Sequence, residues 1–295
     1  MTILIEKLIE ALKTPLADMC IVIYQKICAI LYLVLQFSRD DLTQTPSVWN
    51  VGAYNLVKGV CNNYILPFAV LIITFIMCYE LVSMVTSSNN FHELDTSIFI
   101  KWLCKLGIAL FLLDHSFEII SGLFVLTTDI TTNLLNGISG EAAAAALSSF
   151  ANGEALESYK QVLVNDSFGE LFCFFIFADI SVIFLYLAVP IVSMVTITRM
   201  VFIYINLSLA PIPMATLANR EWGQIGNHYI RNILALAFQG VIIVVSFGIF
   251  YGVVTASVTA GQDLENCIVQ IITISLVLLF VLFKTESISK SIFSA

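Results

Sequence analysis

Long apolar runs separated by short polar stretches dominate the pattern of hydrophobic and polar positions along this chain. A helix that crosses a membrane needs about 20 mostly apolar residues. Runs of that length, or close to it, cover residues 64–86, 98 to beyond 113 and up to 125, 171–198, 230–258 and 268–283. The pattern therefore predicts an all-α, polytopic integral membrane protein with about five transmembrane helices.

Two further helices are predicted before the first of these runs. The opening sequence MTILIEKLIEALK places its aliphatic side chains on one helical face and its charges elsewhere, which is typical of an amphipathic helix on a membrane surface. Residues 20–37 are apolar but contain Gln25 and Lys26. This second helix either spans the membrane or lies along its surface, and the sequence leaves both arrangements open.

A proline-broken polar stretch follows the apolar segment 200–218. The sequence APIP contains Pro211 and Pro213, which remove helical hydrogen bonds and kink a helix. Irregular backbone at membrane depth is tolerated only when it is buried in protein or lines a cavity. We therefore predict a re-entrant or interfacial segment that breaks at APIP and leaves on the face it entered, with Trp222 at the membrane interface. The alternative is a kinked span followed by a polar loop.

The distribution of basic residues favours the re-entrant arrangement. The stretch 114–170 contains eight acidic residues and one basic residue, Lys160, so the positive-inside rule places it outside the cytoplasm. If 200–218 does not cross, the later basic residues all lie on the cytoplasmic side, namely Arg199, Arg220, Arg231, Lys284 and Lys290. We therefore predict a multi-pass protein of the cytoplasmic membrane with a cytoplasmic C-terminus.

These features divide the chain into four parts. Residues 1–63 hold the N-terminal amphipathic and apolar helices, and 64–126 form a first helical hairpin. Residues 127–170 form an extracytoplasmic loop that includes the alanine-rich sequence GEAAAAALSS. Residues 171–295 form a C-terminal membrane bundle with the APIP break. A loop this long is usually functional, and we expect it to contact other proteins.

Composition and charge exclude several classes of protein. The chain is 59% hydrophobic and only 12% charged, whereas soluble domains carry about 25% charged residues. Its net charge of −8 argues against stable nucleic-acid binding, which requires a basic surface. The seven cysteines and three histidines show no metal-site spacing. We predict neither a metal, nor a cofactor, nor an enzymatic activity.

Charged side chains inside predicted spans are candidates for function, because they are costly in a membrane. Asp179 lies well inside the third span and is either a channel-lining or coupling carboxylate or a structural hydrogen-bonding group. Glu80 lies towards the inner end of the first span, within reach of Lys101 or Lys105 in the next one.

Two more polar residues belong to this group of channel or coupling candidates. Arg199 ends the third span, and its long side chain can extend to the membrane surface. Gln239 lies in the fourth span and can form a hydrogen bond between helices.

Two blocks of the sequence point to a known family. One is RMVFIYINLSLAPIPMATLANREWGQIGNHYIRNILALAFQG at 199–240, and the other is TPSVWNVGAYNLVKG with YILPFAVLIITFIMCYEL within 45–81. They resemble the TrbL-type polytopic membrane subunit of type IV secretion systems, the family of the sixth VirB protein, in the form carried by Gram-positive conjugative elements. The shared pattern is an arginine-led apolar helix, an APIP-like break, a polar segment, and then Tyr, a basic residue and Gln-Gly.

The resemblance implies a structural channel subunit of a conjugation machine. Such a subunit helps to carry a single DNA strand with its bound protein, or protein substrates, across the cytoplasmic membrane, while partner ATPases use the ATP. It implies a homo-oligomer that contacts other secretion-system subunits, and only transient contact with the translocated DNA. It also implies docking to cytoplasmic partners through the region of the break, by Arg220, Trp222, His228 and Arg231.

Two other functions remain open at the level of sequence. The first is a stand-alone transporter or permease for a small solute, which would purify as a monomer or small oligomer. The second is a membrane-anchored assembly or immunity protein without a pore. A channel subunit differs from the permease in purifying in several copies with its partner subunits.

Overall fold

Helix is the only regular secondary structure in the residues that the computed structural model describes, which are 2–87, 96–138, 154–165, 167–219, 221–259 and 264–295. The helices, in chain order, are α1 Thr2–Thr43, α2 Pro46–Trp49, α3 Val51–Val60, α4 Leu66–Ser87, α5 Thr96–Asp114, α6 Ser116–Ile138, α7 Glu154–Asn165, α8 Phe168–Leu209, α9 Pro211–Thr216, α10 Gly223–Thr259 and α11 Leu264–Phe293.

The predicted polytopic all-α class, with about five spans, is confirmed. Four helical segments of the described chain are long and apolar enough to cross a membrane, and these are Val51–Thr86, Phe168–Leu209, Gly223–Val254 and Ile268–Phe293. A fifth candidate is the bent pair Phe99–Asp114 and Ser116–Gly137, whose two parts meet at 60°. Each of these segments corresponds to one of the apolar runs.

The first spanning segment begins earlier than predicted, at Val51. Its polar positions, which include Lys58, hid this first part of the helix from a count of apolar residues. A π-helical turn at Cys61–Ile65 precedes Pro67, and the Leu66 N–H bonds the carbonyl of Cys61, five residues back. Proline lacks an N–H and clashes with the carbonyl four residues earlier, so the wider turn accommodates it. The predicted boundary at residue 63 therefore falls inside a continuous helical segment.

The stretch predicted as a long loop, 127–170, contains helical structure. The second apolar run bends at His115, and α6 then continues as far as Ile138. Its buried positions include Phe117 and Phe124, while Glu118 and Asp129 lie on its exposed side. This amphipathic pattern explains why the acidic residues suggested a loop. The alanine-rich sequence lies outside the described residues, and α7 follows it.

The proline break lies between the helices of the third and fourth spans. Helix α8 has 42 residues, about 63 Å at about 1.5 Å per residue, which is roughly twice the thickness of a bilayer's hydrocarbon core. Residues 200–209 thus continue the helix of the third span. The chain breaks at Ala210, forms the short α9, turns, and enters α10 at Gly223. The break is therefore present at APIP.

Packing divides the chain into two units, each made of three stretches. The first comprises Met1–Leu42, Thr131–Thr196 and Val241–Thr285. Its core includes one face of α1, where Ala17, Ile23 and Ile27 are buried. The segment 20–37 is thus part of a helix that packs within a core, although α1 is not among the segments apolar enough to be counted as spans.

The second unit comprises Thr43–Ile130, Ile197–Gly240 and Glu286–Ala295. It contains two apolar clusters: one joins α3, α6, α8 and α10, and the other joins α4, α5 and α9 with the turn that follows α9. The proline break and most of the polar residues predicted from the sequence belong to this unit.

Candidate functional site

The short helix α9 packs against α4 and α5 in the second unit. Ala215 and Ala218, which have small side chains, are buried there together with Ile73, Met77 and Leu113. Small residues allow helix backbones to approach closely in membrane proteins. The broken segment is therefore buried in protein, as the physical chemistry of irregular backbone in a membrane requires.

One carboxylate joins the break to the first two spans. Glu80 Oε1 accepts a hydrogen bond from Lys105 Nζ at 2.5 Å, and Glu80 Oε2 accepts one from Asn219 Nδ2 at 2.7 Å. The Glu80 side chain is only 15% exposed, so both contacts are largely shielded from solvent. Of the two lysines considered from the sequence, the structure brings Lys105 to Glu80, whereas Lys101 is exposed.

Asn219 also organises the turn that follows α9. Its Oδ1 accepts hydrogen bonds from the backbone N–H groups of Glu221 at 2.7 Å and Trp222 at 3.3 Å. Tyr79 donates a hydrogen bond to the Glu221 carboxylate at 3.2 Å. The Trp222 ring lies 6.3 Å from that of Phe75, between centroids. Each of these contacts fixes the turn to α4 or shapes its backbone.

Arg199 turns into the protein interior and does not extend to the membrane surface. It is 4% exposed, and its Nε and Nη2 donate to the carbonyls of Leu236 and Ala237, each at 3.4 Å. A Cβ atom at Gly240 would lie 2.9 Å from Arg199 Nη2. The missing side chain of Gly240 therefore makes room for the guanidinium group. The expectation that Arg199 extends outward was wrong, because α10 supplies backbone acceptors at the same level.

A cavity of about 260 Å³ lies in the same unit. Gln239, buried in the fourth span, contributes to its lining. The other polar lining residues are Asn206, Asn232, Glu286, Ser289 and Lys290. Glu286 and Lys290 form an ion pair at 2.7 Å. The sequence did not reveal this site, because its residues come from three distant parts of the chain.

The remaining predicted site residues occupy separate places. Trp222, His228 and Arg231 are exposed on the turn and the first turns of α10. Pro211 is buried and Pro213 partly buried, while Arg220 lies outside the described residues. Asp179 is exposed on α8 within the first unit, so its surroundings are unlike those of the buried residues around Glu80.

No group of three or more metal-ligating side chains occurs among the described residues. A comparison with known families matches residues 34–211 to the family described as "TrbL/VirB6 plasmid conjugal transfer like protein", and this match covers more than half of the chain. The chain belongs to this TrbL/VirB6 family. It is therefore a multi-pass membrane subunit of a conjugal transfer, or type IV secretion, system. No curated protein and no solved structure matches the chain.

The family match includes the first spanning segment, all of α8 and the first proline of the break. It covers the block at 45–81 from which the family was inferred, and the first part of the block at 199–240. The turn at Asn219 and the helices α10 and α11 lie beyond the matched residues.

Proposed function

We propose that the protein is a channel or scaffold subunit that helps single-stranded DNA with its bound protein to cross the cytoplasmic membrane. The observation that carries this proposal is the TrbL/VirB6 match over residues 34–211, on a chain whose described residues include four to five helices long and apolar enough to span a membrane. The subunit acts as a homo-oligomer, and partner ATPases provide the energy. No catalytic step is assigned to it.

The buried break gives this proposal a structural element to act through. Helix α9 and the Asn219 turn are attached to the first two spans by the Glu80 carboxylate. A rigid turn of this kind presents the side chains that follow it in a fixed position. We propose that Trp222, His228 and Arg231 dock partner subunits on the cytoplasmic face, with Arg220 beside them in the sequence.

The proposed orientation places both the turn and the C-terminus in the cytoplasm, as the positive-inside rule favours. Asn227 is exposed next to His228 and is a suitable reporter. An Asn227→Cys variant without the native cysteines should react with a membrane-impermeant maleimide only in inverted vesicles. Labelling of intact cells would contradict the orientation.

The function is tested by deleting the gene in frame from its conjugative element and counting transconjugants per donor. Transfer should collapse and return when the gene is supplied in trans. Unchanged transfer would refute the channel role, and uptake of small solutes would then be measured, because a permease is the alternative.

The docking role requires a separate measurement. Tagged protein should recover the system's ATPases from membranes, and the Arg231→Glu variant should recover less of them. Lys284→Glu is the matched control, because Lys284 is also an exposed basic residue but lies in another helix. Equal losses from both variants would show only a general effect of charge.

A further inference from the structure

The side chains that line the cavity in the second unit suit a small ligand that carries one positive and one negative group. Lys290 and Glu286 supply one positive and one negative group, 2.7 Å apart and each about half exposed. The Asn232 carboxamide makes no hydrogen bond to any described residue, although it lines the cavity. Asn232 is only partly buried, so this amide is available to a ligand.

The other polar groups divide into donors and acceptors. Asn206 uses its Nδ2 to donate to the Phe202 carbonyl at 2.8 Å, which leaves its Oδ1 as an acceptor. The Ser289 hydroxyl donates to the carbonyl of Ala235. Lys290 and Asn232 thus provide donors, whereas Glu286 and Asn206 provide acceptors. A ligand that matches them has an anionic group at one end and a cationic donor at the other.

The size of the cavity limits the ligand further. A volume of about 260 Å³ holds roughly nine water molecules at about 30 Å³ each. That is too small for a nucleic-acid strand or a folded segment of protein. It suits a headgroup of about eight non-hydrogen atoms, such as phosphoethanolamine, if each atom takes about the space of one water.

The position of the cavity points to a lipid as the source of this headgroup. Lys290 lies one turn before the end of α11 and of the spanning segment Ile268–Phe293. The ends of spanning helices are where headgroups meet a protein. Phe202 lines the cavity and is 41% exposed, and the neighbouring Ile205 is 48% exposed. Acyl chains can therefore lie along this apolar surface while the headgroup enters.

The charges around the cavity indicate where the anionic and the cationic group of the ligand bind. Arg199 is a buried cation that contacts the carbonyl of Leu236, a lining residue, and forms no ion pair with a described carboxylate. A buried charge acts strongly in a medium of low dielectric constant, and this one favours an anion near Leu236 and Asn232, which lie one turn apart on α10. The Glu286 carboxylate supplies the negative charge that favours the cationic end.

We propose that this cavity binds the headgroup of a zwitterionic glycerophospholipid. Lys290 and Asn232 hold the phosphate, and Glu286 and the Asn206 carbonyl hold the ammonium group. This role is independent of DNA transfer, and lipid binding alone can test it. Soluble glycerophosphoethanolamine has the same headgroup chemistry, so the experiment must distinguish the two sources.

The test measures lipid retention by native mass spectrometry of the purified full-length protein in detergent. Dioleoylphosphatidylethanolamine should be retained at least tenfold better than dioleoylphosphatidylglycerol. Lys290→Met and Asn232→Leu should each lower retention by about tenfold or more, as expected for loss of a hydrogen bond to the charged phosphate. The matched controls Lys284→Met and Asn227→Leu change exposed residues of the same types in the same two helices, and should retain the lipid normally.

Glu286→Gln provides a readout that a loss of folding would not produce. It removes the partner of the ammonium group, so the preference should shift from phosphatidylethanolamine towards phosphatidylglycerol. Equal retention of the two lipids by the wild-type protein would overturn the proposal, as would unchanged retention by both cavity variants. Soluble glycerophosphoethanolamine that displaces the lipid at equal concentration would overturn the assignment of a lipid source.

Discussion

Asn219 donates a 2.7 Å hydrogen bond to Glu80, which lies 139 positions earlier in the chain. The same carboxylate accepts a hydrogen bond from Lys105, and the same asparagine caps the backbone of the turn. Two side chains therefore link the first span, the second span and the proline break. Removal of either one leaves enclosed polar groups without partners, which costs more than the bond itself contributes.

The first prediction concerns the Glu80 carboxylate. Glu80→Gln replaces one acceptor oxygen by an NH₂ group and leaves Lys105 without its counter-charge. We expect the free energy of unfolding to fall by about 1–3 kcal/mol, as measured by SDS titration of the protein in mild detergent. DNA transfer should fall with it, because the turn is no longer fixed.

Glu118→Gln is the control for this change. Glu118 pairs with Lys58 at 3.3 Å, but both side chains are about half exposed, so its loss should cost at most about 1 kcal/mol. A double-mutant cycle of Glu80→Gln with Asn219→Ala should show a coupling of about 0.5–3 kcal/mol. Strictly additive effects would show that the two residues do not act together.

Much of this fold follows from the length of the apolar runs and from the chemistry of proline. The number of spans, the break at APIP and the proximity of Glu80 to a lysine in the next span all depend on local composition or on spacing. The start of the first spanning segment at Val51 could not be predicted in this way, because the polar residues in its first turns are accommodated by packing within the unit.

The buried positions of Arg199 and Asn219 required knowledge of their partners. Arg199 has backbone acceptors in α10, and no sequence pattern reports the level at which two helices meet. The same holds for the cavity, since Asn206, Asn232 and Lys290 are distant along the chain. Composition identifies polar residues in apolar segments, but only tertiary structure shows which of them face one another.

The second prediction concerns the close approach of Gly240 and Arg199. Gly240→Ala would place a Cβ 2.9–3.0 Å from Nη2 and Cζ of the guanidinium group, and the shift this requires would weaken its bond to Ala237. We expect a loss of about 1–3 kcal/mol in unfolding free energy. Gly252→Ala is the control, because a Cβ there meets nothing within 4 Å, and it should be neutral or stabilising.

An Arg199→Met background shows whether this contact is the cause. The Gly240→Ala change should cost much less there, since the flexible thioether side chain lacks the planar group that lies under Gly240. An equal loss of unfolding free energy in both backgrounds would show that the contact with Arg199 is not its cause.

The third prediction concerns the start of α10, where Gly226 faces the break. A Cβ at Gly226 would lie 2.6 Å from Leu217 side-chain atoms and 2.7 Å from the carbonyl oxygen of Pro213. Because a backbone atom cannot move aside easily, Gly226→Ala should displace α9 and lower the unfolding free energy by about 2–4 kcal/mol. Limited proteolysis should then cut the turn more rapidly.

Gly223→Ala tests the specificity of that effect. Its Cβ would meet the nearest atom, the Thr216 carbonyl oxygen, at 3.8 Å, which is an ordinary contact. The variant should therefore show proteolysis close to that of the wild-type protein. If the two variants were cleaved equally fast, the close packing at Gly226 would not be what holds the break in place.

The fourth prediction concerns Asp179, which lies on an exposed apolar surface of α8. The neighbouring Ile176, Ile180 and Ile183 are 44–62% exposed. A carboxylate that faces lipid at the centre of a helix costs about 2.5–3.5 kcal/mol on insertion scales, so this surface should meet another copy or a water-filled path in the assembled machine. Asp179→Asn should leave the unfolding free energy of the isolated subunit within about 0.5 kcal/mol, as for most surface changes, yet reduce transconjugants per donor.

Asp129→Asn is the control for Asp179→Asn, because Asp129 is also exposed but lies in α6. It should preserve both stability and transfer. Blue native electrophoresis of the Asp179→Asn variant separates two causes of a transfer defect, since loss of the oligomer indicates an interface and an intact oligomer indicates a role in the path. Normal transfer by this variant would remove Asp179 from the functional residues.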